Sequence, residues 1–107
     1  MEVKEEGYIY KLSSFEQNSD LAESFQILSF IKKEPIGEGS SELRTVHNGT
    51  TNEDILAVLI NRLEYLDNKF SSNENKMVIG HLKSALFQLE ARTRDRKNRG
   101  VEGKHQV

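Results

Sequence analysis

The pattern of apolar and polar positions changes near Asn48-Gly49, which divides the chain into two halves of different periodicity. In the first half β-branched and aromatic residues predominate, as is typical of strands. Pro35 and the glycine- and serine-rich residues 37–41 indicate a loop, and Asn48-Gly49 predicts a turn because both residue types tolerate positive φ. We therefore expect residues 1–47 to be strand-rich and to form a small antiparallel β unit of about three strands, over residues 8–12, 24–31 and 42–46.

The second half has the periodicity of two helices. Thr-Thr-Asn-Glu at residues 50–53 is typical of a capping box, and the helix that follows is predicted to run to about Asp67. Ser-Ser-Asn-Glu at residues 71–74 predicts a second, longer helix that ends before Gly100. Because the link between the helices is short, they should be antiparallel neighbours. The apolar positions of the first helix are Ile55, Leu56, Leu59, Leu63 and Leu66.

These elements predict an α+β fold for a single domain of residues 1–107. The β unit precedes a helical hairpin over residues 48–100, and a C-terminal tail follows over residues 101–107. The second helix has more apolar surface than one partner helix covers, since Ile79 and Leu86 lie beside a stripe at residues 78, 82, 85 and 89. This surface is interpreted either as a broad core face that also meets the sheet or as a self-association surface.

Charge is distributed unevenly along the chain. The formal net charge is -2, but residues 1–90 hold 9 of the 15 basic and 15 of the 17 acidic residues. The last 17 residues therefore carry a net charge of +4. An acidic body with a cationic end repels long polyanions and offers one local site for an anion.

Cysteine is absent, which excludes disulfides, thiolate nucleophiles and sulfur-ligated zinc and suits a reducing cytoplasm. No apolar run approaches the roughly 20 residues that a membrane span needs. The acidic first six residues do not have the pattern of a signal peptide. We expect a cytoplasmic protein without a membrane partner.

The candidate binding residues begin with the arginines at the end of the second helix. Arg92, Arg96 and Arg99 are spaced so that their guanidinium groups project from one helical face, whereas Arg94 lies on another side. Guanidinium groups donate bidentate hydrogen bonds to phosphate oxygens. The alternative is a solvated helix end whose arginines pair with acidic neighbours and with the helix dipole.

Three further residues are candidates near the turn between the helices. The Asn75 amide can bond a base edge or a ribose, although a capping or solvent-facing role is the simpler interpretation. Tyr65 and Phe70 can stack on a nucleobase, and ordinary packing within the hairpin is the alternative. The three histidines are far apart in sequence, and no catalytic set or phosphate-binding glycine loop is evident. We expect neither enzymatic activity nor a metal or cofactor.

Three motifs together resemble those of a known phage family. They are Asn-Gly-Thr-Thr-Asn-Glu-Asp-Ile-Leu at residues 48–56, Glu74-Asn75 at the start of the second helix, and the arginine-rich residues 90–103 ending in Arg-Gly-Val-Glu-Gly. The chain resembles the small proteins that share the hairpin domain of Thoeris anti-defence and anti-CBASS sponges. The resemblance covers about residues 46–107, and residues 1–45 match loosely.

The resemblance implies a homo-oligomer, a dimer or a hexamer, that sequesters cyclic nucleotide signals of bacterial immune systems without cleaving them. Cyclic ADP-ribose isomers are the ligands that the Thoeris branch implies, and cyclic di- or trinucleotides are those of other branches. The strand-then-hairpin order is more similar to the Thoeris branch. The implied ligand contacts are Arg92 and Arg96 for a pyrophosphate, Asn75 for a polar edge, and Tyr65 or Phe70 for an aromatic ring.

A phage protein that binds nucleic acid, or one that serves assembly, is the alternative function. Six cations among the last 17 residues permit contact with a nucleic acid backbone. The acidic body and the small size of the basic patch make nucleic acid an unlikely partner.

Overall fold

The computed structural model describes residues 1–17, 20 and 24–100 and confirms the predicted α+β class. Residues 1–34 and 44–50 form one compact unit, and residues 35–43 with those from 51 onwards form a second. The predicted tail at residues 101–107 lies outside the described residues. No described helix is long and apolar enough to cross a membrane. The elements are β1 (Glu2–Glu5), β2 (Ile9–Ser13), β3 (Phe25–Ser29), β4 (Lys32–Pro35), β5 (Leu43–His47), α1 (Asn52–Lys69) and α2 (Asn73–Asn98).

Three strands form an antiparallel sheet in the order β1-β2-β3. Tyr10 pairs with Val3 on one side and with Leu28 on the other, which places these three side chains on one face. The tight link between β1 and β2 contains Gly7 with a φ of 82°, a conformation that favours glycine. The expected antiparallel unit of about three strands is therefore present.

The strands that form this sheet are not all the ones predicted. The predicted strand at residues 24–31 corresponds to β3, which ends at Ser29, and β4 follows it from Lys32 as a separate strand. The predicted strand at residues 42–46 is β5, which pairs with β4 in a two-stranded sheet. The third strand of the larger sheet is β1, which the pattern did not predict. Its Glu-Val-Lys-Glu sequence is mostly charged, and an edge strand tolerates charge because one of its edges stays in solvent.

The backbone around Gly49 lies directly against the end of β3. The Thr50 amide donates to the Ser29 carbonyl at 2.9 Å, and the Ile31 amide donates to the Thr50 carbonyl at 2.9 Å. A Cβ atom on Gly49 would lie 2.5 Å from the Ser29 carbonyl oxygen. Neither Asn48 nor Gly49 has a positive φ, so close backbone approach is the reason for glycine at position 49.

Both helices begin with a side-chain cap. Thr51 caps α1 by accepting the Asp54 amide at 3.2 Å, and Ser72 caps α2 by accepting the Asn75 amide at 3.0 Å. The predicted helix starts are confirmed, but each cap lies one residue later than the start of the four-residue motif. Gly100 follows α2 with a φ of 70°, as expected of a residue that ends a helix.

The two helices pack through a seam with a heptad spacing. On α2 the seam positions alternate in steps of four and three residues, at 75, 79, 82, 86 and 89, and Ala91, Thr93 and Arg96 farther along the helix are half-buried as well. The predicted stripe is therefore wrong in part, because Val78 is 44% exposed and Ala85 is also exposed. On α1 the seam centres on Ile60, which is 7% exposed and is the one buried hydrophobic side chain among the described residues.

The contact at Gly49 predicts a specific loss of stability. We expect Gly49→Ala to lower the free energy of unfolding by about 1 to 3 kcal/mol, because the added methyl group overpacks the Ser29–Ile31 backbone. Urea denaturation followed by circular dichroism measures this difference. Gly37→Ala is the matched control, since nothing lies within 4 Å of its Cβ position, and equal losses in both variants would contradict the role of the contact.

Candidate functional site

The candidate arginines lie where α2 extends past the start of α1. The 26 residues of α2 span about 39 Å and the 18 residues of α1 about 27 Å at 1.5 Å per residue. Asp67 pairs with Lys76 and Glu64 with Lys83, which shows that the helices are antiparallel. Extending this register places the first turn of α1 level with about Arg92 of α2. The turns after Arg92 therefore project beyond the hairpin seam.

Arg92, Arg96 and Arg99, which we call the basic end, lie in and just after the last turns of α2. Arg92 is exposed and Arg96 is half-buried. Arg99 caps α2 and pairs with Asp95, with 3.1 Å between Nη2 and Oδ2. Arg94 points to another side of the helix, where its guanidinium carbon lies 5.8 Å from the centre of the Phe87 ring.

The remaining candidates lie at the opposite end of the hairpin. Phe70 ends α1, is 82% exposed, and donates its amide to the Leu66 carbonyl at 2.9 Å. Asn75 is half-buried in the first turn of α2. Tyr65 is 58% exposed on the side of α1 away from Ile60, with the Lys69 ammonium 4.8 Å from its ring centre.

The structure brings Phe70 and Asn75 to one end, which we call the turn cluster, and separates them from the basic end. Asn75 and Arg92 are roughly 25 Å apart along α2, at 1.5 Å per residue. A small cyclic dinucleotide is shorter than this separation between Asn75 and Arg92. One chain therefore does not place the turn cluster and the basic end around a single small ligand.

Asp67 is a residue of this region that the sequence pattern did not single out. Its Oδ1 accepts the Ser72 amide at 3.0 Å, and its Oδ2 pairs with the Lys76 ammonium at 2.9 Å. Lys76 also donates to the Ser71 hydroxyl. The Ser72 backbone hydrogen bond, followed by the Lys76 contact, holds the pKa of Asp67 below its ordinary value. We call Asp67, Lys76, Ser71 and Ser72 the Asp67 network.

The sides of the hairpin differ in chemistry. On one side Glu64 and Lys83 approach to 3.5 Å beside the Asp67 network, and an open groove of about 250 Å³ is lined by Glu64, Asp67, Asn68, Lys76 and Ile79. The other side is apolar, with Leu59 41% exposed, Val78 44% exposed and Ala85 exposed. We call these three residues the apolar flank. On α2 the heptad spacing of Val78 and Ala85 continues at Arg92, which is also exposed.

The chemistry of the candidate residues is that of binding groups. Guanidinium groups bind phosphate, the Asn75 amide both donates and accepts hydrogen bonds, and the Phe70 ring offers a stacking surface. Within residues 1–17, 20 and 24–100, no group of three or more metal-ligating side chains is arranged to hold a metal ion.

No family model matches the chain, and comparison with curated proteins finds similarity to a phage protein. The curated protein Thoeris anti-defense 1 of Bacillus phage SBSphiJ7 is 48% identical over 60 residues, which are 55% of this chain and 42% of the relative. The chain thus spans less than half of the relative's length. This similarity confirms the predicted resemblance to Thoeris anti-defence proteins, and the anti-CBASS resemblance stays a prediction.

The lowered pKa of Asp67 predicts an acid-dependent hairpin. A carboxylate with a depressed pKa in the folded state contributes stability above its unfolded pKa, about 3.9, and loses it as the pH falls through the folded value. We expect Asp67→Asn to melt at a lower temperature than the wild type at pH 7 and the difference to shrink below about pH 4. Thermal melting across this range measures it.

Glu64→Gln is the control for this measurement, because the exposed pair with Lys83 contributes little. A difference between Asp67→Asn and the wild type that stays constant down to pH 2.5 would show that ionisation of Asp67 does not stabilise the fold.

Proposed function

We propose that this chain is a phage anti-defence protein that binds and sequesters a cyclic nucleotide immune signal without cleaving it. Cyclic ADP-ribose isomers are the ligands proposed first, and the proposed location is the cytoplasm of the infected bacterial cell. The observation that carries the proposal is the basic end of the hairpin, in a chain that is 48% identical over 60 residues to a Thoeris anti-defence protein.

A phosphate-bearing ligand suits the basic end. Arg92 and Arg96 are four residues apart on α2, so that their guanidinium groups can bind neighbouring oxygens of one pyrophosphate. Sequestration at submicromolar concentration needs roughly 9 to 12 kcal/mol of binding free energy, which two arginines at the surface of one chain do not supply. The site must therefore exclude water on more sides than the basic end of one chain does.

A second copy of the chain covers the sides of the site that one chain leaves open to water. One chain has a single buried hydrophobic side chain among the described residues, and its apolar flank is exposed. Two copies of α2 that pack antiparallel along the flank would cross near Ala85, whose small side chain permits close approach. Such a pair buries Val78 and Leu59 of both copies.

The same pairing assembles the candidate site. When two antiparallel helices cross at Ala85, Arg92 of one copy lies level with Val78 of the other, and Arg96 lies level with Glu74 and Asn75. The basic end of each copy then meets the turn cluster of the other, which forms two equivalent sites per dimer. Phe70 supplies the aromatic surface in this arrangement, since Tyr65 faces away from the seam. Hexamers would be assemblies of such dimers.

Binding without turnover follows from the residue types assigned to the site. Guanidinium, amide and phenyl groups hold a ligand, and none of them activates water or acts as a nucleophile. The ligand is therefore expected to leave the protein chemically unchanged.

We expect Arg92→Ala and Arg96→Ala each to weaken binding of a cyclic ADP-ribose isomer at least tenfold. Each variant removes a charge-assisted bidentate contact that contributes roughly 1.5 to 3 kcal/mol. Isothermal titration calorimetry measures the affinity. Arg94→Ala is the matched control, since it removes the same charge from another side of the same helix end.

Unchanged affinity in both variants would remove the basic end from the site. Ligand released by heat should be recovered intact by mass spectrometry, and a cleaved product would indicate a phosphodiesterase. A shift of nucleic acid mobility that persists at physiological salt would favour the nucleic-acid-binding alternative.

A site shared between copies predicts complementation between two inactive variants. One variant carries Arg92→Ala with Arg96→Ala, and the other carries Phe70→Leu with Asn75→Ala. When the two are unfolded in urea and refolded together, about one quarter of the sites should be intact, because half of the dimers are mixed and each has one intact site. Titration with the ligand counts these sites. A mixture that stays inactive would indicate that each site lies within one copy.

A further inference from the structure

We propose that the Asp67 network is a positioning device that holds Phe70 ready to stack on the nucleobase of the ligand. The inference rests on the proposed function and assigns a role to Asp67 and Lys76, which are not among the candidate ligand-binding residues.

Hydrogen bonds fix the chain on both sides of Phe70. Before it, the Phe70 amide donates to the Leu66 carbonyl at 2.9 Å and so continues the bonding pattern of α1. After it, the Ser72 amide donates to Asp67 at 3.0 Å, while the Ser72 hydroxyl accepts the Asn75 amide at 3.0 Å. The backbone that carries the ring is therefore joined to the last turn of α1 and to the first turn of α2.

Lys76 ties the same turn together from α2. Its ammonium contacts the Asp67 carboxylate at 2.9 Å and the Ser71 hydroxyl, so that it joins both helices to the residue that follows Phe70. The Asp67 side chain is 14% exposed, whereas the Phe70 ring is 82% exposed. Within the network the Asp67 carboxylate is sheltered, whereas the Lys76 side chain is 57% exposed, and the Phe70 ring stands in solvent.

An exposed ring on a fixed backbone is suited to stacking. A phenyl group has two side-chain torsions, so most of the entropy cost of ordering it lies in the backbone of the turn. The network orders the backbone of the turn before a ligand binds, so binding does not include this entropy cost. Every nucleobase offers a face to an aromatic ring, so a preorganised ring raises affinity for the base-bearing part of the ligand.

A purely structural role makes a different prediction. If the network only stabilises the hairpin, its loss lowers the melting temperature and affects all parts of the ligand site alike. If it positions Phe70, its loss weakens binding through the ring alone. A double-mutant cycle between Asp67 and Phe70 separates these two cases.

The cycle uses Asp67→Asn, Phe70→Leu and the double variant, with a cyclic ADP-ribose isomer as probe and at a temperature where all variants are folded. Stacking on one base contributes about 1 to 3 kcal/mol, so Phe70→Leu should weaken binding roughly five- to hundredfold. Asp67→Asn should weaken it about threefold or more and should have no further effect when the ring is already absent. Phe70→Tyr, which keeps the ring, should retain the affinity of the wild type.

Glu64→Gln is the matched control, because it breaks the neighbouring pair with Lys83 and leaves the Asp67 network intact. Equal losses from Asp67→Asn in the presence and in the absence of the Phe70 ring would overturn the inference. So would wild-type affinity in Asp67→Asn, and in both cases the proposed function would stand. Failure of the wild-type protein to bind the probe would instead overturn the proposed function.

Discussion

The packing of two antiparallel helices of unequal length through one heptad seam is the constraint on which the candidate site depends. The seam uses the positions of α2 that recur in steps of four and three residues, and it centres on Ile60 of α1. Because α1 is shorter, the seam stops before α2 does, with Arg92 near its end and Arg96 and Arg99 on the turns that follow. The same seam leaves Val78 and Ala85 of α2 on an exposed side.

The distribution of charge follows this geometry. Most acidic residues lie within the first 90 positions, whereas the projecting end of α2 carries closely spaced arginines. Between the two helices, carboxylates pair with lysines, as Glu64 does with Lys83 and Asp67 with Lys76. Lys76 and Lys83 thus pair between the helices, while the cations of the basic end are guanidinium groups, which suit phosphate better than ammonium groups do.

The proposed functional unit joins three features that lie apart in one chain. The basic end supplies charge, the turn cluster supplies an aromatic ring and an amide, and the apolar flank supplies a surface between them. A two-fold arrangement of identical chains relates the two ends without any additional element. The Asp67 network fixes the turn at which the ring is presented, so hairpin stability and ligand affinity are coupled in this proposal.

The sequence by itself determined the α+β class, both helix starts, the end of α2 before Gly100 and the spacing of the arginines, because these follow from local caps and helical periodicity. It did not predict β1, whose charged residues are accommodated at a sheet edge, or the contact that requires Gly49. It also could not show that Val78 lies outside the seam. Those features were decided by the tertiary structure, because strand pairing and helix register depend on contacts between residues distant in sequence.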